Sequence, residues 1–341
     1  MAYSKKVSFK SFCIIILMLC FLMSMSLSGC SKNTLPINKS GYYFDTLINI
    51  SIYDSELSEK KADSILDGCF LLCEKYDNMF SATKEGSDIY NLNHNQGKAV
   101  KVSDETLYLI QQSLYYSKLT NGLIDPTIAS VSNLWDFTNP DNTILPDSTS
   151  ISKALTHVGY KNINIHDNFV SFSDPETNIG LGFIAKGYIA DKLKEYLLSQ
   201  GVKSALINLG GNVLAIGRKN TDTLFTIGIQ KPFDPYGNAI TSLSIDDQSL
   251  VSSGNYERFF KKDGVIYHHI LNPITGYPIQ NNLYSVSILS DSSMEGDALS
   301  TTCYVLGLEQ GMKLIESLDG IEAIFITDKY EIIKSSGLKK E

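Results

Sequence analysis

Late in the chain the stretch EGDALSTTCYVLG, residues 295–307, sets Asp297 four residues before Thr301. Residues at i and i+4 share one face of a helix. A carboxylate and a hydroxyl on that face form a pair of hard oxygen donors, suited to magnesium or calcium rather than to zinc. The same pair also reads as an ordinary helix start, in which the acid complements the helix dipole and the threonine bonds back to a carbonyl. Spacing alone leaves both readings open.

Two further stretches carry groups able to act on such a site. GLGFIAKGYIADK, residues 180–192, opens a helix from a glycine-rich turn with Lys186 in its first turn. Free backbone N–H groups there, with a lysine charge beside them, suit a phosphate, and a plain glycine turn fits equally well. The spacing is neither a P-loop nor a dinucleotide fingerprint. YHHILNPITGYPI, residues 267–279, puts His268 and His269 next to each other on a strand that runs into an Asn-Pro turn. Neighbouring residues on a strand point to opposite faces, so at most one of the two serves a given site. No HExxH pattern and no nucleophile motif accompanies them.

Several elements must hold these groups in place. YYFDTLINISIY, residues 42–53, reads as one opening strand. A helix follows over 58–76 with Ser58 as its N-cap and Cys69 and Cys73 on its apolar face. A second runs from Ser103 to a stop at Asn121 and Gly122, and a third spans 185–200. Strands are expected at SALINL, NVLAIG, LFTIGIQ, SLVSSG, VIYHHIL, LYSVSILS and, after the last helix, GIEAIFIT. Strands mixed with long helices, without strict βαβ alternation, indicate an α+β fold. ALINLGGNVLAIG, residues 205–217, reads as a tight hairpin, and VSSGNYERFF, residues 251–260, carries no signal by itself.

The chain has 341 residues and a formal net charge of -8, so a nucleic-acid partner is not expected. Its N-terminus has Lys5, Lys6 and Lys10 ahead of an apolar run, Phe12 to Met23, and then small residues, as in a secretory signal. LSGC, residues 27–30, resembles a bacterial lipobox and makes Cys30 the expected lipidated residue. The expected organisation is a signal peptide over 1–29, a tether over 30–40 and one globular unit over 41–341. An anchored protein of this kind sits on the extracytoplasmic face of the bacterial cell membrane. The three cysteines left over, Cys69, Cys73 and Cys303, make neither a disulfide framework nor a zinc site.

LGFIAKGYIADK, ALINLGGNVLAIG, SSGNYERFF, HHILNPITGYPI and SMEGDALSTTCYVLG, in this order and preceded by NGLIDPTI at 121–128, closely resemble the successive motifs of the ApbE family, the FAD:protein FMN transferases. The resemblance runs from about Tyr43 to the C-terminus. It implies a T-fold-like unit and a magnesium-dependent enzyme. Such an enzyme cleaves the FAD pyrophosphate, joins FMN through a phosphoester to a threonine or serine of an acceptor protein, and releases AMP. Acceptors in the family include flavin subunits of membrane and extracytoplasmic redox systems. The alternatives are a FAD pyrophosphatase and a non-catalytic, lipid-anchored FAD-binding protein.

Carried over by position, Asp297 and Thr301 match the family's magnesium ligands, with the main-chain carbonyl of Phe183 most nearly a third. Lys186 matches a lysine on the flavin nucleotide. Leu123, Ile124 and Asp125 match a FAD-contacting stretch, Phe44 falls where a methionine meets the cofactor, and His269 falls near the transferred phosphate. Gly180 stands where the family commonly has an aspartate, and Thr83 where a flavin-stacking aromatic is common.

Overall fold

The computed structural model describes residues 36–137, 139, 144–219, 223–235 and 237–340. The signal peptide and Cys30 lie outside the described residues. The chain opens with β1 (Ile37–Tyr43), β2 (Thr46–Ile52), α1 (Glu59–Phe80), α2 (Asp88–His94), β3 (Val100–Lys101) and α3 (Asp104–Leu119). Next come α4 (Ala129–Ser132), α5 (Ser148–Leu155), β4 (Ile163–His166), β5 (Phe169–Phe172) and α6 (Ala185–Ser199). After them lie β6 (Ala205–Leu209), β7 (Asn212–Ile216), β8 (Phe225–Gln230), β9 (Ala239–Ile245), β10 (Ser249–Gly254), β11 (Phe259–Lys262) and β12 (Val265–His268). The fold closes with β13 (Leu283–Ser290), α7 (Ser293–Ile315), β14 (Glu322–Thr327) and β15 (Ile332–Lys334).

Eight strands form one antiparallel sheet in the order β1-β2-β6-β7-β10-β13-β14-β15. Period-2 alternation divides its side chains between two cores. On one face Ile50, Ile207, Leu214, Val286 and Phe325 pack with Leu66 and Cys73 of α1, Leu193 of α6 and Leu299 of α7. On the other, Ala215, Leu250, Ile324 and Ile326 pack against Phe225, Ile229, Leu243 and Ile245 of the β8–β9 hairpin. Mixed helices over an antiparallel sheet make the fold α+β, as the residue pattern indicates.

The expected Ser58 cap is in place, and Ser103, read as the start of the second helix, is its cap. Ser58 accepts from the Lys61 amide at the start of α1, and Ser103 from Thr106 at the start of α3. Cys69 and Cys73 are fully buried, as expected of core residues. Two readings change. The stretch 42–53 is not one strand, because Phe44 and Asp45 take φ of 55° and 57° and turn the chain back on itself. Two consecutive positive-φ residues make a tight hairpin turn, usually signalled by Asn or Gly, and Phe-Asp gives no such signal. The expected tether also ends early, since Ile37 to Ser40 pair with Ile52 to Asn49 as an edge strand. Asn38, Lys39 and Ser40 are polar because they face solvent there.

Candidate active site

The site lies where the N-terminal ends of α6 and α7 meet. Asp191 of α6 accepts from the amides of Ser293 and Met294 at 2.8 and 3.0 Å and from the Ser292 hydroxyl at 3.0 Å, so it caps α7 from outside that helix. In return Asp297 of α7 accepts from the Gly187 amide of α6 at 2.8 Å. Gly187 makes this approach possible, because a Cβ there would sit 2.2 Å from the Ser293 carbonyl oxygen. The two helix starts are thus clasped by reciprocal carboxylates.

The clasp changes what the glycine-rich turn can offer. Three of its backbone N–H groups are already engaged: those of Ile184 and Ala185 bond to the Leu181 carbonyl, and that of Gly187 goes to Asp297. A helical Gly187 amide would close onto the Phe183 carbonyl. With that amide given to Asp297, the Phe183 carbonyl is left out of the helical ladder and is available as an oxygen donor. The Lys186 side chain lies in the first turn of α6, with Nζ 3.9 Å from Asp297 Oδ1.

Asp297 is only 2% exposed, and burial raises its carboxyl above the usual range against the opposing pull of Lys186 and the amides. A cation beside it would relieve that cost. Thr301, one turn on, is held by Ser253 of β10, whose hydroxyl lies 3.0 Å from Thr301 Oγ1 and 2.7 Å from Ser300 Oγ. Among the described residues no three His, Cys, Asp or Glu side chains converge on one point. The donors here are instead one carboxylate, a hydroxyl and a released carbonyl, which fit a hard cation that keeps other positions for water and substrate.

The two histidines divide as strand alternation requires. His268 is in the core, 1% exposed, with Nε2 donating to the Ile279 carbonyl at 2.9 Å and burial lowering its pKa to about 4. His269 turns the other way, towards Lys186. Its amide bonds to the Arg258 carbonyl, and its Nδ1 lies 3.4 Å from the same oxygen. That contact places the ring proton on Nδ1. Burial, with the charges of Arg258 and Lys186, lowers its pKa to about 3, so the ring is neutral.

Glu257 and Arg258 complete this cleft, and the residue pattern gave no sign of either. Glu257 is exposed at the surface of the cleft, and its carboxyl is raised by desolvation, with Asp297 adding to the rise and Lys186 and Arg258 opposing it. Asp191 and Ser253 were likewise invisible as site residues, since an acid inside a helix and a serine inside a strand have many duller uses.

The upstream candidates fare differently. Ile124 belongs to the main core, and Leu123 is half-buried. Asp125 is 7% exposed, and both its oxygens are used internally: Oδ1 accepts from the Thr127 amide at 2.9 Å and Oδ2 from the Tyr160 amide at 2.8 Å. Its carboxylate therefore braces the turn that carries this stretch. Phe44 is half-buried in the β1–β2 turn. That turn abuts the Gly210-Gly211 turn, where a Cβ on Gly210 would lie 2.1 Å from Thr46 Oγ1. Gly180 donates its amide to Pro126, and Thr83 sits on an exposed turn after α1.

The chain matches the ApbE family model over residues 44–325. It is 31% identical over 338 residues to the FAD:protein FMN transferase of Treponema pallidum (strain Nichols), covering 94% of this chain and 92% of that relative. To a FAD:protein FMN transferase of Klebsiella pneumoniae (strain 342) it is 35% identical over 277 residues, covering 80% and 85%. Among solved structures, the ApbE protein from Thermotoga maritima superposes with a TM-score of 0.81 at 29% identity, over 90% of this chain and 99% of that one. The flavin transferase ApbE from Vibrio cholerae gives 0.75 at 27%, with the same coverage. The family match, the relatives and the fold agree: this chain belongs to the ApbE family, a family of transferases.

Proposed function

We propose that the protein is a magnesium-dependent FAD:protein FMN transferase. In this reading it moves FMN from FAD to a threonine or serine hydroxyl of an extracytoplasmic acceptor protein through a phosphoester and releases AMP. The observation that carries it is the meeting of Asp297, Thr301, Lys186 and His269 at one cleft in a chain that matches the family over residues 44–325.

Asp297 and Thr301, with the Phe183 carbonyl, would hold the cation, which when bound supplies charge stabilisation to the pyrophosphate. Lys186 places a second positive charge at the cleft without consuming a proton, and charge gathers on the phosphates as one phosphoryl group is displaced. The Asp191 and Asp297 clasp fixes both helix starts, so these charges are in position before substrate arrives. His269 is neutral and would offer its Nε2 to the phosphate without adding charge. Phe44 and the stretch Leu123, Ile124 and Asp125 would meet the flavin nucleotide. The acceptor is expected to be a flavin subunit of a membrane or extracytoplasmic redox system, reached by an enzyme anchored to the membrane through lipid on Cys30.

The test is incubation of the protein with FAD, magnesium and the extracytoplasmic protein fraction of the same cell, followed by a denaturing gel viewed for flavin fluorescence. A fluorescent band heavier than its unmodified form by the mass of the FMN group is the expected result. Free FMN and AMP without an adduct would make the protein a FAD pyrophosphatase, and the absence of AMP would leave a flavin-binding protein.

A further inference from the structure

Two turns beside the cleft carry large aromatic residues where small ones belong. After β8, Lys231, Pro232, Phe233 and Asp234 make a tight turn, closed by the Asp234 amide on the Lys231 carbonyl at 3.2 Å, and Phe233 takes a φ of 62°. Tyr330, between β14 and β15, also takes a φ of 62°, with its amide on the Thr327 carbonyl at 2.9 Å. Left-handed turn positions favour glycine or asparagine, and a bulky residue there is an outlier that the surrounding structure must hold in place.

Both strained residues turn their rings into one patch. Phe233 packs edge-on against Tyr256, Phe259 and Tyr284 at 6.0, 5.1 and 5.1 Å between ring centres, and Tyr284 packs against Tyr330 at 5.0 Å. The Tyr330 hydroxyl donates to the Pro232 carbonyl at 3.4 Å and ties the two turns together. Four of the rings are only half-buried and Tyr330 is 40% exposed, so the patch is open to solvent. Its cations are Lys231, paired with Asp234 at 3.1 Å, and Lys261, whose Nζ lies 5.1 Å from the centre of the Phe233 ring. Among the described residues neither Lys261 nor Arg258 makes an ion pair, in a chain whose net charge is -8. The patch runs straight into the cleft: Tyr256 and Phe259 flank Glu257 and Arg258, and the Arg258 carbonyl accepts from the His269 amide.

We propose that this patch is the docking surface for the acceptor protein, taking an extended segment that flanks the acceptor hydroxyl and carries apolar and acidic side chains. This rests on the transferase reading above. Half-exposed tyrosine and phenylalanine rings supply contact area at little cost in side-chain freedom, and such residues carry most of the energy of protein interfaces. From Tyr256 to Tyr330 the patch spans three ring-to-ring steps of 5.0 to 6.0 Å, which at about 3.3 Å per residue matches at most roughly five residues of extended chain. Lys261 and Arg258 lack acids of their own and select acidic side chains in that segment. Because one end of the patch lies at the cleft, a segment seated on it brings its neighbouring hydroxyl to the phosphate.

The test uses the full chain in detergent with FAD, magnesium and the extracytoplasmic protein fraction of the same cell, and follows flavin labelling as the amount of that fraction is raised. F233G and K261E should each raise the half-saturating amount by about 10-fold or more, while the maximal rate and the FAD affinity measured by flavin fluorescence stay at wild-type values. Half-saturation of the wild type should also rise between about 0.05 and 0.5 M salt, more steeply than that of K261E. Wild-type half-saturation in both variants would overturn the proposal. So would a wild type that sediments as a dimer and a Y330E variant that sediments as a monomer with labelling unchanged, which would give the patch to a second copy of the chain. A wild type that labels no protein would overturn the transferase reading, and that outcome shows itself before any variant is compared.

Discussion

At the scale of single residues, the decisive quantity is the cost of a buried charge. Asp297 is raised above its ordinary carboxyl range by burial. A carboxyl raised in the folded state stabilises the fold below its unfolded pKa, and that contribution is lost as pH rises, so at neutral pH the metal-free protein carries a penalty at this site. Bound magnesium would offset it, and linkage turns binding into a higher melting temperature. Added magnesium should therefore raise the Tm of the wild type. D297N should be about as stable as metal-free wild type and gain nothing from magnesium, and T301V should lose most of the gain; an equal rise in all three proteins would remove the metal from these residues. His268 titrates with the opposite sign. Its pKa is lowered from 6.5 to about 4, so its neutral form stabilises the fold above pH 6.5, and that contribution is lost as pH falls towards 4. The shift corresponds to about 3 kcal/mol. H268N should be less stable at neutral pH yet show a shallower decline of stability through this window in chemical denaturation.

Between elements, the site depends on how closely two helix starts approach. Gly187 meets the backbone of Ser293 and Met294 where any side chain would collide, whereas Gly182, five residues earlier, has open space around it. G187A should push α6 from α7, lower stability by roughly 1–3 kcal/mol as overpacking does, and cut turnover by separating Lys186 from Asp297. G182A should leave Tm within a degree or two and turnover near wild type; equal effects of the two substitutions would show that the clasp does not set the geometry. This scale also explains what could be read in advance. The long helices with their Ser58 and Ser103 caps, most core strands and the opposed histidines follow from periodicity and capping, which are local. Asp297, Thr301, Lys186 and His269 were legible through their motifs. Ser253 and Asp191 lie inside such motifs yet carried no readable role, because each acts across a gap between elements distant in sequence. Asp191, for example, serves an N-terminus 101 to 103 residues away. The turn at Phe44 and Asp45 and the internal bonding of Asp125 escaped for the same reason, since the φ values and the Tyr160 amide are set by tertiary contacts.

For the whole molecule, the question is whether anchoring and chemistry are separable. The cores and the cleft are built from residues after Pro36, which form one compact unit, and no described helix is long and apolar enough to cross a membrane. The proposed anchor, lipid on Cys30, lies outside this unit. In the proposed reading, that lipid would confine the enzyme to the surface where membrane redox subunits lie and so raise the encounter rate without touching the cleft. C30S should move the protein from the membrane fraction to the soluble fraction. It should leave the rate of AMP release from FAD unchanged, because none of Lys186, His269, Asp297 or Thr301 depends on the tether. Labelling of membrane-bound acceptors in intact cells should fall, while labelling of soluble acceptors in a purified mixture should not. Retention of C30S in the membrane fraction would assign anchoring to the apolar run at Phe12 to Met23, and loss of AMP release would mean that lipidation acts on the catalytic unit itself.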